Sequence, residues 1–205
     1  MKLPVEQKEA LVELINIGYG RAGAALSELT GERITLEVPR VDVYFIGEIQ
    51  LALREVFRDE VWTVNQFFSG QVNGTAMLLT DEQAAYELAG LIVREKLSPE
   101  EQKATAHEVL TEVANIVLQA ALGACGDLLH VHVTMSVPGL KIDRVDKVLG
   151  SIAVKNEDMQ YALLIRTRFR IVDGQVSGYL MLVLGVTSFA RLMGALEEWR
   201  KRQTG

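Results

Sequence analysis

One cysteine, four prolines and three histidines in 205 residues leave several kinds of chemistry without material. A lone Cys125 forms no internal disulfide, which excludes a disulfide-held scaffold and fits a reducing compartment. It stands near a helix end among small residues, the setting of a buried, inert thiol. His130 and His132 alternate in a stretch read as a strand and would share a face, but no third ligand accompanies them, so zinc is the weaker reading. Basic side chains are in deficit, 21 against 27 acidic ones for a net charge of −6. Duplex nucleic acid, whose phosphates need a basic face, is therefore not an expected partner. The longest apolar stretch, around Tyr179 to Val186, is too short for a bilayer. Glu6 and Glu9 fall where a secretion signal would carry its apolar core, so the expected location is the cytoplasm. Glycine-rich phosphate loops and Ser/His/Asp arrangements are missing as well.

What the chain does have is a long-period echo. Glu13, Asn16, Ile17, Val38 and Pro39 recur as Glu112, Asn115, Ile116, Val137 and Pro138, all at an offset of 99 positions. Further along, Gly74, Met77, Leu78, Leu88 and Gly90 recur as Gly178, Met181, Leu182, Leu192 and Gly194 at an offset of 104. Two copies of this size indicate a duplicated half-domain and not a stacked solenoid. The halves are 1–98 and 99–205. Charge divides unevenly between the two parts of the chain: residues 1–99 carry 9 basic and 15 acidic side chains, while residues 100–205 carry 12 of each.

Each half reads as a helix, several strands and a helix. Leu11, Leu14, Ile15, Gly18, Ala22, Ala25, Leu26 and Leu29 recur three and four apart, predicting a first helix that buries this stripe and stops at Gly31. Ile34 to Val38 alternates as a strand. Strands follow over Glu60 to Phe68 and Thr75 to Thr80, joined by the turn residues Gly70 to Gly74. Thr80 with Gln83 is a capping box for a helix ending near Arg94. Ser98, Pro99 and Glu101 form a second capping box, opening a helix that runs to about Gly123. Strands near His130 to Val137, Ala162 to Val172 and Gly178 to Leu184, with Asp173 and Gly174 as a hairpin turn, precede a helix from about Thr187 to Lys201. Leu192, Leu196 and Trp199 assign that helix to the core. Arg166, Arg168 and Arg170 line one strand face with Ile165 and Phe169 opposite; a solvated face and a docking site for an acidic partner are both open readings. The expectation is one α/β (α+β) domain over 1–205, pseudo-twofold symmetric, with an antiparallel sheet.

Residues three and four apart share a helix face. Glu9, Glu13, Asn16 and Gly20 therefore line one stripe, and Glu108, Glu112, Asn115 and Gln119 line its counterpart. One such stripe alone is most simply a solvated surface. Here two of only five asparagines occupy the same place in both copies, although asparagine gains nothing from a mid-helix position. Asparagine is no base or nucleophile, but its amide can hold a water. Holding a water suits in-line attack on a phosphoryl group, where catalysis is mostly orientation and charge stabilisation. A carboxylate would repel phosphoryl oxygens, so Glu13 and Glu112 suit a cation beside the phosphate. Neither stripe carries a Lys or Arg, so that cation would come from a partner.

These helices resemble those of the CheC family of chemotaxis phosphatases, in which an acidic residue or serine, a Glu, an Asn and an Ile follow one another at this spacing. The resemblance covers nearly the whole chain, and Asn16 to Ser27 carry it most closely. It implies a pseudo-symmetric α/β fold with two long helices exposed on one side. The implied substrate is the aspartyl phosphate of a CheY-like response regulator in two-component signalling. Glu13 and Glu112 would pair with a regulator lysine, and Asn16 and Asn115 would orient the hydrolytic water. Glu9, Gly20, Glu108 and Gln119 would contact the partner. The resemblance implies no cofactor bound by this chain, with Mg²⁺ supplied by the regulator. Gln119 departs from the small residue often found there in the family and is expected to crowd the second site. The alternative function is a non-catalytic interaction module, either flagellar-switch-like or a partner of the deamidase CheD.

Overall fold

The computed structural model describes residues 3–58, 60–93, 98–148, 159–171 and 174–204. The chain opens with the long helix α1 (Val5–Thr30), which ends where Gly31 turns left-handed at φ 71° and returns its N–H to the Ser27 carbonyl. Ser27 Oγ then accepts from the Ile34 N–H at 2.8 Å, leading the chain directly into strand β1 (Thr35–Phe45). Helix α2 (Ile46–Val56), strands β2 (Glu60–Gly70) and β3 (Gly74–Thr80), and helix α3 (Glu82–Val93) complete the first half. Helix α4 (Pro99–Leu129) starts from the predicted Ser98/Glu101 capping box. Strands β4 (Val133–Met135) and β5 (Gly139–Arg144), a helical turn over 145–148, strands β6 (Met159–Ile171) and β7 (Gly174–Gly185), and helix α5 (Val186–Thr204) follow.

The seven strands form one antiparallel sheet in the order β1-β6-β7-β3-β2-β4, with β5 also on β2. Strands far apart in sequence pair: β1 joins β6, and β4 and β5 join β2. Both Val-Pro pairs sit where an edge strand is interrupted. The β1 register shifts between Glu37 and Arg40, around Val38 and Pro39. On the other edge, Val137 and Pro138 fall between β4 and β5. Proline offers no N–H to a ladder, so it is tolerated at an edge and breaks pairing there.

Alternation along the strands divides the interior into two layers. Ala76 and Leu78 face a large core with residues of α1, α3, α4 and α5, whereas Met77 and Leu79 face a smaller one closed by Ile49 and Leu53 of α2. Ile165 and Phe169 are buried, as their alternation with the arginines predicts, and Glu37 pairs with Arg168 and Arg170 at 3.5 and 3.1 Å on the other face. Leu192, Leu196 and Trp199 of α5 are buried.

Several expectations need correction. Helix α2 was not expected at all. Ala25 and Leu29 are exposed, whereas Tyr19 and Gly23, outside the predicted stripe, are buried. Asp81, not Thr80, caps α3, its Oδ1 accepting from the Ala84 N–H at 2.7 Å. Helix α4 runs past Gly123 to Leu129, and His130 is its left-handed terminal residue at φ 55°. Strand β4 begins only at Val133, so His130 and His132 do not share a strand face. Asp173 lies outside the described residues. By length and composition α4 is apolar enough to cross a membrane, contrary to the sequence reading. Its Ala106, Leu110, Val113, Ala114, Val117 and Leu118 are instead buried in the large core.

Cys125 lines a cavity of about 30 Å³ between α4 and the sheet, with Leu11, Phe68 and Leu184 among its neighbours. Burial pushes its thiol up to about 12. An unfolded chain releases that proton near pH 8.5. Above that pH, ionisation favours the unfolded state, so the thiol's contribution to stability is full below about pH 8.5 and is lost as pH rises toward 12. Cys125 is only half-buried, so the expected result is native labelling by Ellman's reagent at pH 8 that is slower than labelling of the unfolded chain; equal rates would contradict the raised thiol pKa.

Candidate functional site: two helix faces with Glu and Asn

Helices α1 and α4 pack against each other at a close crossing. A Cβ on Gly18 would lie 2.8 Å from Ala121 Cα and 2.9 Å from the Ala120 carbonyl oxygen, so hydrogen is the only side chain this crossing admits. Buried anchors fix each helix to the sheet. Tyr19 donates or accepts a 2.6 Å hydrogen bond with Thr167 of β6, and burial raises the phenol well above its ordinary range. Near the start of α4, His107 meets Trp62 of β2 edge-on at 4.7 Å, and Trp62 meets Tyr86 of α3 at 5.7 Å. Arg21 and Asp127 bridge the two helices at 2.5 Å, but both are exposed, so the pair adds little.

On this scaffold Glu9, Glu13, Asn16 and Gly20 are all exposed along α1. Glu108, Glu112 and Gln119 are exposed on α4, and Asn115 is half-buried. The structure thus brings each predicted quartet onto one open helix face. Among the described residues, none of the four glutamates has an ion-pair or hydrogen-bond partner; Lys8, beside Glu9, pairs instead with Asp42 at 3.6 Å. Four uncompensated carboxylates on two faces favour a cationic group from outside. Beside the α1 quartet, Leu3, Val5, Val12 and Ile17 line an open groove of about 700 Å³ with Glu9, Glu13 and Asn16. Apolar residues flanking carboxylates suit a protein surface better than a small polar ligand.

The two asparagines differ. Asn16 has no side-chain hydrogen bond among the described residues. Asn115 Oδ1 accepts from Gln66 Nε2 at 3.0 Å and from Gln119 Nε2 at 2.7 Å. Gln119 therefore binds Asn115 directly and belongs to the site in a way its expected crowding role did not describe. Gln66 and its second partner Ser136 were missed in the sequence. A signal was present: Gln66 shares the inward face of β2 with Trp62, Val64 and Phe68, where alternation calls for an apolar residue.

No protein-family profile matches the chain. Solved structures do. FliY of Thermotoga maritima superposes with a TM-score of 0.74 at 20% identity, over 99% of this chain and 100% of that one. The fold is that of FliY. The FliM middle domain of Vibrio alginolyticus shares it at TM-score 0.63 and 13% identity, covering 90% of this chain and 99% of that one. A chain from the Helicobacter pylori FliG–FliM complex matches at 0.58 and 12%, over 94% and 100%. At these identities the likeness establishes the FliY fold alone, and function has to be argued from the site.

Within this FliY-type fold, Gly20 is the one member of the α1 quartet without a side chain, and nothing lies within 4 Å of where a Cβ would be. An exposed mid-helix glycine costs about 0.5–1 kcal/mol relative to alanine. Gly20→Ala is expected to raise the melting temperature by roughly 1–4 °C in a thermal scan. No gain would mean that the residue is held by contacts absent from this picture.

Proposed function

We propose that the chain hydrolyses the aspartyl phosphate of a CheY-like response regulator in the cytoplasm, using the Glu/Asn faces of α1 and α4. The observation that carries this reading is the pair of exposed faces, each presenting a glutamate without a cationic partner and an asparagine three residues on. Glu13 or Glu112 grips the lysine of the regulator's phosphorylation site, which places Asn16 or Asn115 beside the phosphoryl group. The asparagine holds a water in line with the bond to be broken. The water oxygen bonds to phosphorus as the bond to the aspartyl oxygen breaks. Inorganic phosphate leaves carrying both protons of the water, one of which it gives up to solvent near neutral pH, and the aspartate is returned as a carboxylate. Asparagine takes no proton in this scheme; it contributes orientation. Mg²⁺ belongs to the regulator in this reading, and it neutralises phosphoryl charge there. On this chain no three His, Cys, Asp or Glu side chains gather in a metal-binding group among the described residues.

Incubation with a regulator phosphorylated by a small phosphodonor, with timed loss of the acyl phosphate, tests the proposal. A second reading, a non-catalytic interaction module of the flagellar switch, draws on the FliM middle domains that share the fold, one of them solved together with FliG. Binding of the phosphorylated regulator without faster loss of phosphate would favour that reading.

A further inference from the structure

We propose that Gln66 is a positioning residue of the second site, turning the Asn115 carboxamide so that its NH₂ group faces the partner; the inference rests on Asn115 being the water-orienting residue of that site. The direction of the amide follows from one fixed acceptor. The Ser136 main-chain carbonyl lies 3.1 Å from the Gln66 side-chain amide, and a carbonyl can only accept, so the Gln66 atom facing it is the Nε2 donor. The same nitrogen lies 3.0 Å from Asn115, so the Asn115 atom it meets is Oδ1. Gln119 Nε2 supplies a second donor to that oxygen at 2.7 Å. With both lone pairs of Oδ1 engaged, only Nδ2 is left to address a water or a phosphoryl oxygen. Asn115 thus acts as a donor and not as an acceptor.

The break in the edge strand makes this possible. Between β4 and β5, Ser136 Oγ takes the Phe67 N–H at 3.0 Å, a donor that a regular ladder would give to a main-chain carbonyl. The Ser136 carbonyl is thereby released toward Gln66. Stability alone gives no reason for Gln66 to be there. It is fully buried, and its Oε1 has no hydrogen-bond partner. A buried, unsatisfied polar atom costs about 1–3 kcal/mol, which an apolar residue of the same volume would avoid. Gln119 is exposed and needs no burial to act. On α1 the matching asparagine has no such donors among the described residues, so the device belongs to one site only.

Two variants and two readouts test this. In an Asn16→Ala background, where turnover comes from the second site, Gln66→Met is expected to lower kcat about ten-fold with KM changed by less than about two-fold. Gln119→Ala, at an exposed helix position that folding tolerates, is expected to lower kcat in the same sense by a smaller factor. A gain in turnover or a fall in KM for Gln119→Ala would overturn the proposal, because that is the signature of relieved crowding. With Asn16 intact and Asn115 already alanine, where turnover comes from the first site, Gln66→Met is expected to leave kcat within about two-fold; a persisting ten-fold loss there would make Gln66 merely structural. Independently of any turnover, nitrogen relaxation of the Asn115 side-chain NH₂ is expected to show a lower order parameter in both variants. Unchanged order in both would overturn the positioning role. Lost order in the variants of a chain that turns over no acyl phosphate would support the positioning and defeat the phosphatase reading alone.

Discussion

Replacing both asparagines, Asn16→Ala with Asn115→Ala, is expected to return the decay of a phosphorylated regulator to its spontaneous rate, a loss of about 100-fold or more in kcat/KM. That magnitude corresponds to removing the group that aligns water with the bond to be broken, where misplacement by about 1 Å already costs about 100-fold. Neither change should unfold the chain. Asn16 is exposed, and alanine is the better helix former at both positions. Asn115→Ala does free the Gln66 and Gln119 donors, but Gln66 keeps its bond to the Ser136 carbonyl. Unaltered circular dichroism together with lost acceleration is the expected pair of results. The four glutamates remain in the double variant, so the regulator should still bind and compete with intact protein. Full activity in the double variant would remove the mechanism proposed for both sites at once.

The second large effect is expected at Gly18, two residues from one of the mildest. Gly18→Leu must open the α1–α4 crossing, because even a Cβ there would meet main-chain atoms of Ala120 and Ala121 at 2.9 and 2.8 Å. Backbone atoms cannot rotate away as a flexible side chain can. Overpacking of this kind costs about 2–3 kcal/mol, a fall of roughly 5–10 °C in melting temperature. Gly20→Ala should move the midpoint the other way, since open space surrounds that position. Both effects come from α1, so helix propensity cannot explain opposite signs; the difference lies in what each position faces. Gly18→Leu should also depress both candidate sites together, because the crossing sets how α1 and α4 present their faces. A stable Gly18→Leu protein would mean that the helices pack more loosely than this geometry requires.

Much of this architecture can be read from local signals. The capping box at Ser98 and Glu101, the glycine stop at Gly31 and the alternation of Ile165 and Phe169 against the arginines each depend on residues close in sequence, so they survive folding unchanged. Helix α2 is different: Ile46, Ile49 and Leu53 recur at helical spacing and Glu48 accepts from the Phe45 N–H, a local signal that the strand reading of the flanking segments passed over. Ala25 and Leu29 lie within the predicted stripe and are nonetheless exposed, which helical period alone does not reveal. At the candidate sites, the paired Glu and Asn faces were visible from spacing alone. The Gln66–Asn115–Gln119 arrangement was not, because it joins residues 49 positions apart through a strand-to-helix contact. Gln119 shows the limit most clearly: bulk suggested obstruction, whereas the structure shows its amide bonded to Asn115.

The most direct test of the central claim is the first-order loss of acyl phosphate from a CheY-like regulator, followed with increasing amounts of the intact protein after removal of the phosphodonor. The expected rate rises with protein concentration and saturates, with inorganic phosphate released in step. A rate that stays at the spontaneous value while the regulator is demonstrably bound would contradict it.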